Sequence, residues 1–187
     1  MFDSILRSPR APRRTLRPAR YAAEAAIIAA LYVALTYLAS AMGLASMPIQ
    51  LRFSEAMCML VVLTPAAVPG MWVGCLLANL LTGAAPWDVV FGSLATLLGI
   101  LGGRGLFLAA QKLFPTRPRM ARALLCAVPL PTVVANAAII PPVLIYAYGI
   151  EEALPYLVLT VGLGEILSAW VLGLLLLVPL SRLRRRA

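Results

Sequence analysis

Positive charge in this chain is confined to three short stretches. Of the sixteen Lys and Arg residues, fourteen lie within the first twenty residues, between Lys112 and Arg122, or within the last six residues. The sequence between these stretches is apolar and carries almost no charge. Basic residues that flank apolar spans face the cytoplasm in polytopic membrane proteins. The pattern therefore predicts an integral membrane protein whose two termini are both cytoplasmic.

The overall composition also favours a membrane protein. Hydrophobic residues make up 62% of the chain, charged residues make up 12%, and the mean hydropathy is +0.93. Such values lie outside the range of soluble domains. The formal net charge of +9 also suits nucleic acid, but basic groups beside apolar spans meet anionic lipid headgroups. We therefore expect membrane lipids as partners, and no nucleic acid.

Six apolar segments follow one another and predict an all-α bundle of six transmembrane helices. Their approximate bounds are Tyr21–Gly43, Phe53–Pro65, Ala66–Gly83, Asp88–Leu113, Arg122–Gly149 and Leu154–Leu180. The second and third segments are short and are separated by paired prolines, so they also suit one kinked or re-entrant element. Two separate spans are preferred because they keep the central basic stretch cytoplasmic.

This topology divides the chain into three parts. Residues 1–20 are expected to be a disordered, basic cytoplasmic tail, because they contain few large apolar groups. Residues 21–181 form the transmembrane domain, and residues 182–187 form a basic cytoplasmic C-terminus.

Residue types that support metal or nucleotide chemistry are sparse. The chain has no His, and Cys58, Cys75 and Cys126 are far apart in apolar surroundings. No cytoplasmic segment contains the glycine-rich loop that cradles phosphate groups. We expect no metal, no cofactor and no ATP hydrolysis by this chain itself.

Polar side chains inside the apolar segments are candidate binding residues, because ionisable groups in a bilayer cost about 3 kcal/mol on insertion scales. Glu165 and Asn136 stand at similar depths in the last two segments, so they can converge on one pocket. A carboxylate and an amide together can bind a ligand edge that carries donors and acceptors. The alternative is an interhelical hydrogen bond that only holds the two helices together.

A second group of polar residues lies nearer the outer surface and comprises Arg52, Glu55, Asn79 and Asp88. Arg52 and Glu55 are three positions apart, so they form either a local ion pair or contacts to a ligand. Glu55 and Asp88 make the mouth of a cavity acidic, which favours a neutral or cationic ligand. We expect all four to contribute to substrate binding.

Aromatic and small residues add two further patterns. Trp87, Tyr146 and Tyr148 cluster at the outer boundary, where aromatic belts are expected, although Trp87 or Tyr146 also suits stacking on a planar ligand. In the first segment, alanine recurs every four positions, at Ala22, Ala26, Ala30 and Ala34. This face permits close approach of another helix, either inside the bundle or in another subunit.

Several strings in the chain resemble one family of membrane proteins. They are AALYVA (Ala29–Ala34), PIQLRFSEA (Pro48–Ala56), TPAAVPG (Thr64–Gly70), GCLLAN (Gly74–Asn79), WDVVFGSLATLLG (Trp87–Gly99) and VGLGE (Val161–Glu165). From about Ala22 to Leu180 the chain resembles the substrate-binding (S) subunits of energy-coupling factor (ECF) transporters, and specifically the queuosine-precursor transporter family, QueT.

The resemblance implies a six-helix bundle of the ECF S-component type in the bacterial plasma membrane. Such a subunit captures a vitamin-like molecule from outside and has no enzyme activity. It docks on a coupling membrane (T) subunit driven by two ATPase subunits. In related S subunits the alanine face of the first helix contacts the coupling subunit, which implies that role for Ala26, Ala30 and Ala34.

The family name implies a deazaguanine ligand, such as aminomethyl-deazaguanine or queuine. A guanine-like edge offers adjacent N–H donors that one carboxylate can accept, and its carbonyl oxygen needs an amide donor. We assign these roles to Glu165 and Asn136. The aminomethyl group is cationic at neutral pH and requires a second acid, for which Glu55 or Asp88 is available.

Other functions stay open at the level of sequence. The same residues suit an S subunit for another vitamin or purine-like solute. A stand-alone proton-coupled carrier would use Glu165 as a proton relay within the membrane. An intramembrane enzyme with Glu55, Asp88 or Glu165 as acid or base is disfavoured, because the chain lacks a His, a metal-ligand set and a paired Ser nucleophile.

Overall fold

The computed structural model describes residues 18–44 and 51–186, with side chains up to residue 180. Within these ranges the chain forms helices joined by turns and contains no strand, as predicted. Residues 1–17 of the predicted basic tail lie outside the described part, and so do the side chains of the predicted basic C-terminus. The first helix begins at Pro18, three residues before the predicted start.

The helices are numbered in chain order. They are α1 (Pro18–Ala41), a 3₁₀ helix (Phe53–Val62), α2 (Ala67–Leu81), α3 (Pro86–Leu113), α4 (Pro118–Cys126), α5 (Leu130–Tyr148), α6 (Leu154–Glu165), a π-helical segment (Ile166–Leu172) and α7 (Gly173–Arg186). Proline occupies the first turn of α3, α4, α5 and α6, where its missing N–H would have no partner within the helix. Gly149 ends α5 in the left-handed conformation, with φ of 65°.

Among the described residues, four helical stretches are long and apolar enough to cross a membrane: Pro18–Ala41, Pro86–Leu113, Pro118–Tyr148 and Leu154–Leu180. The second and third predicted segments correspond to the 3₁₀ helix and α2, which have 10 and 15 residues. They are therefore about 20 Å and 22 Å long, whereas the hydrocarbon core of a bilayer is about 30 Å thick. The all-helical fold is confirmed for the described residues, and six complete spans with two cytoplasmic termini stay a prediction.

Glycine residues bring neighbouring helices into close contact. A Cβ atom on Gly74 of α2 would lie 2.8 Å from the Cβ atom of Tyr32 on α1. A Cβ atom on Gly99 of α3 would lie 2.6 Å from the Cα atom of Thr132 on α5. Larger residues at these positions would push the helices apart. The contacts hold Tyr32 against the interior, where it is 1% exposed.

Two irregular helices pack against each other in the interior, the 3₁₀ helix and the π-helical segment. The Sγ atom of Cys58 lies 3.6 Å from the carbonyl oxygen of Ala169. Runs of 3₁₀ helix longer than about four residues are uncommon, and π-helical turns often occur at functional sites. Glu55 belongs to the 3₁₀ helix and Glu165 is the last residue before the π-helical segment, so this packing brings two acids into one region.

Candidate functional site

Three acidic residues from different elements are buried together. Glu55, Asp88 and Glu165 are 1%, 5% and 6% exposed, respectively. Glu55 and Glu165 interact electrostatically, and Arg52 interacts with all three acids. These four ionisable side chains form one group, which we call the acid cluster. All four members of the acid cluster are residues that the sequence predicts to bind substrate.

Two hydroxyl groups orient the carboxyl group of Glu55. The Tyr32 hydroxyl on α1 donates a hydrogen bond to Oε1 of Glu55. The Thr96 hydroxyl on α3 donates to the same oxygen at 3.4 Å. The second oxygen, Oε2, is buried and has no hydrogen-bond partner among the described residues. Glu55 therefore has one oxygen held by the protein and one oxygen available to a ligand.

Glu165 and Asn136 come together as the sequence predicts. The Asn136 side-chain amide forms a hydrogen bond with the Glu165 carboxyl group and donates to the carbonyl oxygen of Thr132 at 3.2 Å. Asn136 is 2% exposed. The interhelical hydrogen bond considered as an alternative is thus present, but it leaves Oε2 of Glu165 buried without a partner in the described part of the chain.

Asp88 is held in the first turn of α3 by residues from α2 and α5. The Tyr148 hydroxyl donates to Oδ2 of Asp88 at 2.9 Å and accepts a hydrogen bond from the backbone N–H of Ala85 at 3.1 Å. The side-chain amide of Asn79 donates to the backbone carbonyl of Asp88 at 3.3 Å. The remaining carboxylate oxygen, Oδ1, is buried and unpartnered within residues 18–44 and 51–186.

The three acids share one arrangement. Each has one oxygen that accepts from a neutral protein donor and one buried oxygen that accepts from none of the described residues. A buried polar group without a partner costs about 1–3 kcal/mol, and more when it is charged. Such groups are rare in folded proteins and call for an explanation. N–H donors are the groups that can satisfy such oxygens.

Arg52 supplies positive charge to the acid cluster but does not form a direct ion pair with any of its carboxyl groups. Its side chain lies outside ion-pair distance of every described carboxylate, so the local Arg52–Glu55 pair considered above is not formed. Loss of solvation lowers the pKa of Arg52, but the acidic groups around it, with Asp88 the strongest, raise the pKa above its ordinary value overall. Arg52 therefore stays protonated, and three carboxyl groups share one guanidinium.

A line of polar atoms connects Glu55 to Asp88. The Thr96 hydroxyl lies 3.4 Å from the Sγ atom of Cys75, and the Asn79 amide nitrogen lies 3.8 Å from the same sulfur. Asn79 then reaches the backbone of Asp88. Asn79 is 4% exposed, so this predicted binding residue lies between the two ends of the cluster.

The side chains of two predicted binding residues are exposed and are not buried with the acid cluster. Trp87 is 62% exposed and stacks on Phe91, with ring centroids 5.9 Å apart. Tyr146 is 88% exposed. The aromatic side chains that contact the acid cluster are Tyr32, which donates to Glu55, and Tyr148, which donates to Asp88. Neither is among the predicted binding residues.

Comparison with known families decides the class of protein. A family model described as QueT transporter matches residues 22–182 of the 187-residue chain. The chain belongs to the QueT transporter family. Searches of curated proteins and of solved structures each returned no match.

Membership of the QueT transporter family makes this chain a transport protein and not an enzyme. Together with the four long apolar helices, it makes the chain a multi-pass membrane protein that handles a small-molecule substrate. In a QueT transporter, ionisable residues buried at membrane depth are candidates for substrate contacts. Tyr32 and Thr96 are further candidates, because their hydroxyl groups hydrogen-bond to Glu55. The sequence offers only a weak signal for them, since each is a hydroxyl-bearing residue inside an apolar segment.

Proposed function

We propose that this chain is the substrate-binding (S) subunit of an ECF importer and that it binds a deazaguanine precursor of queuosine in the acid cluster. The observation that carries the proposal is the set of unpartnered oxygens on Glu55, Asp88 and Glu165. A buried site rich in acceptors favours a ligand rich in N–H donors, because donors alone can satisfy it. In this proposal six segments span the bacterial plasma membrane, and both termini are cytoplasmic.

The purine-like edge of the ligand is assigned to Glu165 and Asn136. An aminopyrimidinone ring presents two adjacent N–H donors, which the Glu165 carboxylate accepts, while its carbonyl oxygen accepts from an amide. The Asn136 amide has two N–H groups, and one of them is already bonded to Thr132. The second N–H group of Asn136 can donate to the ligand's carbonyl oxygen instead of to Glu165, once the Glu165 carboxylate accepts hydrogen bonds from the ligand.

The charge of the acid cluster suits a cationic ligand. Three carboxyl groups face one guanidinium, that of Arg52. An aminomethyl-deazaguanine or queuine carries an amine that is protonated at neutral pH, and a carboxylate of the cluster can accept a charge-assisted hydrogen bond from it. Trp87 and Tyr146 are exposed at the predicted outer end, so in this proposal they contact the ligand as it enters.

Coupling to ATP hydrolysis is assigned to α1. Ala26, Ala30 and Ala34 are exposed, whereas Ala29 and Tyr32 on the same helix are buried against α2. An exposed face of small residues permits close packing of another transmembrane helix. We assign this face to the coupling T subunit, which two ATPase subunits would drive.

Uptake into proteoliposomes tests the proposal. Vesicles that contain this chain alone should bind labelled aminomethyl-deazaguanine but should not concentrate it, even with a pH gradient. Vesicles that also contain a T subunit and two ATPases should concentrate it when ATP is enclosed on the cytoplasmic side. Accumulation by the chain alone, driven by a proton gradient, would instead favour a stand-alone carrier. Binding of a different vitamin or purine in place of deazaguanines would keep the S-subunit role and replace the substrate.

A further inference from the structure

The short helix α4 carries apolar side chains on its buried face and cationic side chains on its exposed face. Ala121 and Leu125 are 2% and 0% exposed, and Leu125 packs in the same apolar core as Phe107 of α3. Arg119 and Met120 are exposed. The helix has 9 residues, so it is about 14 Å long and cannot cross a bilayer by itself. A turn at residues 127–129 separates it from α5. These features are typical of an amphipathic helix that lies on a surface.

The positive charge of α4 continues into the end of α3 and the turn between the two helices. Lys112 and Arg117 are exposed, as Arg119 is, and we call these three residues the basic surface. None of them forms an ion pair with a carboxylate of the described residues. Two large apolar side chains of the same stretch are also exposed, Leu113 at 63% and Met120 at 43%.

The acidic side chains of the described residues are engaged or distant, so they do not neutralise the basic surface. The three acids of the acid cluster are buried. Glu24 on α1 pairs with Arg20 and accepts a hydrogen bond from Thr64. Glu151 and Glu152 follow the far end of α5, whose 19 residues span about 28 Å. Salt screens exposed charges beyond roughly 8 Å at physiological ionic strength. The basic surface is therefore available to an anionic partner.

A membrane surface that contains anionic lipids matches both properties of this stretch. Lys and Arg donate to phosphate oxygens, and each one near an anionic membrane surface contributes about 1 kcal/mol to binding. Exposed apolar side chains beside such cations enter the boundary between headgroups and acyl chains. An acidic protein surface would match the charge, but it would not explain Leu113 and Met120 at the predicted cytoplasmic boundary of the membrane.

We infer that α4 lies along the cytoplasmic membrane interface and that the basic surface binds the phosphate groups of anionic lipids. Leu113 and Met120 anchor this stretch among the acyl chains. The inference is independent of the S-subunit role and of the substrate. It requires a multi-pass membrane protein in which the ends of α3 and α5 that flank α4 lie at the cytoplasmic surface.

Native mass spectrometry tests the inference on the full chain released from vesicles of equal parts phosphatidylglycerol and phosphatidylcholine. Wild-type protein should retain the anionic lipid over the zwitterionic lipid by roughly tenfold or more. The triple variant Lys112→Gln, Arg117→Gln and Arg119→Gln should show a preference of less than about threefold. Its melting temperature should stay close to that of wild-type protein, because the three side chains are exposed and form no ion pair with the described carboxylates.

Two further variants separate a local surface from the effect of net charge. Substitution of Arg184, Arg185 and Arg186 by Gln removes the same three charges outside the basic surface, so most of the preference should persist. The double variant Leu113→Gln and Met120→Gln keeps every charge and removes the apolar anchors. It should lower the retention of both lipids by about twofold or more and leave the headgroup preference in place.

Equal retention of both lipids by wild-type protein would overturn the inference. Equal loss of preference in the basic-surface variant and the C-terminal variant would also overturn it, because the preference would then follow net charge alone. Absence of headgroup preference in wild-type protein, together with loss of co-purification with a protein subunit in the basic-surface variant, would assign this surface to a protein partner instead.

Discussion

The hydroxyl group of Tyr32 donates a hydrogen bond to Oε1 of Glu55 and thereby joins α1 to the 3₁₀ helix. Both side chains are 1% exposed. α1 also presents Ala30 and Ala34 on its exposed face, so one helix contacts the acid cluster on one side and carries the proposed coupling face on the other. The orientation of Glu55 therefore depends on the position of α1.

Tyr32→Phe should weaken ligand binding as well as destabilise the fold. The change removes the donor that orients Glu55, and loss of one buried hydrogen bond costs about 1 kcal/mol of stability. Affinity should fall about fivefold to tenfold, since Glu55 can then turn away from the ligand. Calorimetry and thermal unfolding measure the two effects. Tyr37→Phe is the matched control, because the Tyr37 hydroxyl on the same helix donates to Leu81 at an exposed position. Equal losses of affinity in the two variants would contradict the role of Tyr32.

Glu165→Gln should reduce affinity by about tenfold to a hundredfold, which corresponds to the loss of a charge-assisted hydrogen bond. The amide has nearly the same shape, and its oxygen can still accept from Asn136, so the melting temperature should change little. Binding is measured by calorimetric titration. Unchanged affinity together with a large drop in melting temperature would show that Glu165 only holds the helices together.

Gly74→Ala and Gly105→Ala should change stability in opposite directions. A Cβ atom on Gly74 would lie 2.8 Å from the Cβ atom of Tyr32, whereas one on Gly105 would have no atom within 4 Å. Gly74→Ala should destabilise the protein by about 1–3 kcal/mol through overpacking and should also weaken ligand binding, since it displaces Tyr32. Gly105→Ala should stabilise the helix by about 0.5–1 kcal/mol. Thermal unfolding in detergent checks both, and a stabilising effect of Gly74→Ala would contradict the observed packing of α1 on α2.

Ala30→Leu should abolish ATP-driven uptake while leaving ligand affinity within about twofold of wild type. The larger side chain keeps the helix from approaching another helix closely, but Ala30 is exposed and points away from the acid cluster. Co-purification with the T subunit and proteoliposome uptake are the measurements. Gly105→Leu, at an exposed position on α3 with open space around it, is the control for added bulk. Normal uptake by Ala30→Leu would assign the coupling contact to another surface.

Much of the fold could be predicted because apolar runs and proline positions are local properties of the sequence. Each of the six predicted segments corresponds to helical structure. The conformation of Phe53–Val62 as a 3₁₀ helix and of Ile166–Leu172 as a π-helix could not be predicted. The two segments pack against each other in these conformations, and no residue pattern within either segment specifies that packing.

The acids of the cluster could be predicted because a carboxyl group inside an apolar segment is expensive unless it has a function. Hydroxyl groups give a much weaker signal, since they can bond to their own helix, as Thr36 does to the carbonyl oxygen of Tyr32 at 2.9 Å. This is why Tyr32 and Thr96 are absent from the prediction. The direction of an aromatic side chain depends on helix rotation, which explains why Tyr148 contacts Asp88 while Tyr146 is exposed.

The most direct measurement is a calorimetric titration of the purified, detergent-solubilised chain with aminomethyl-deazaguanine and queuine, with riboflavin and biotin as controls. We expect one-to-one binding of a deazaguanine without any partner subunit, no binding of the controls, and a large loss of affinity in Glu165→Gln. Glu152→Gln should bind as wild-type protein does. Absence of binding to both deazaguanines, or affinity that is the same in wild-type protein and Glu165→Gln, would contradict the assignment of the acid cluster as the binding site for this substrate.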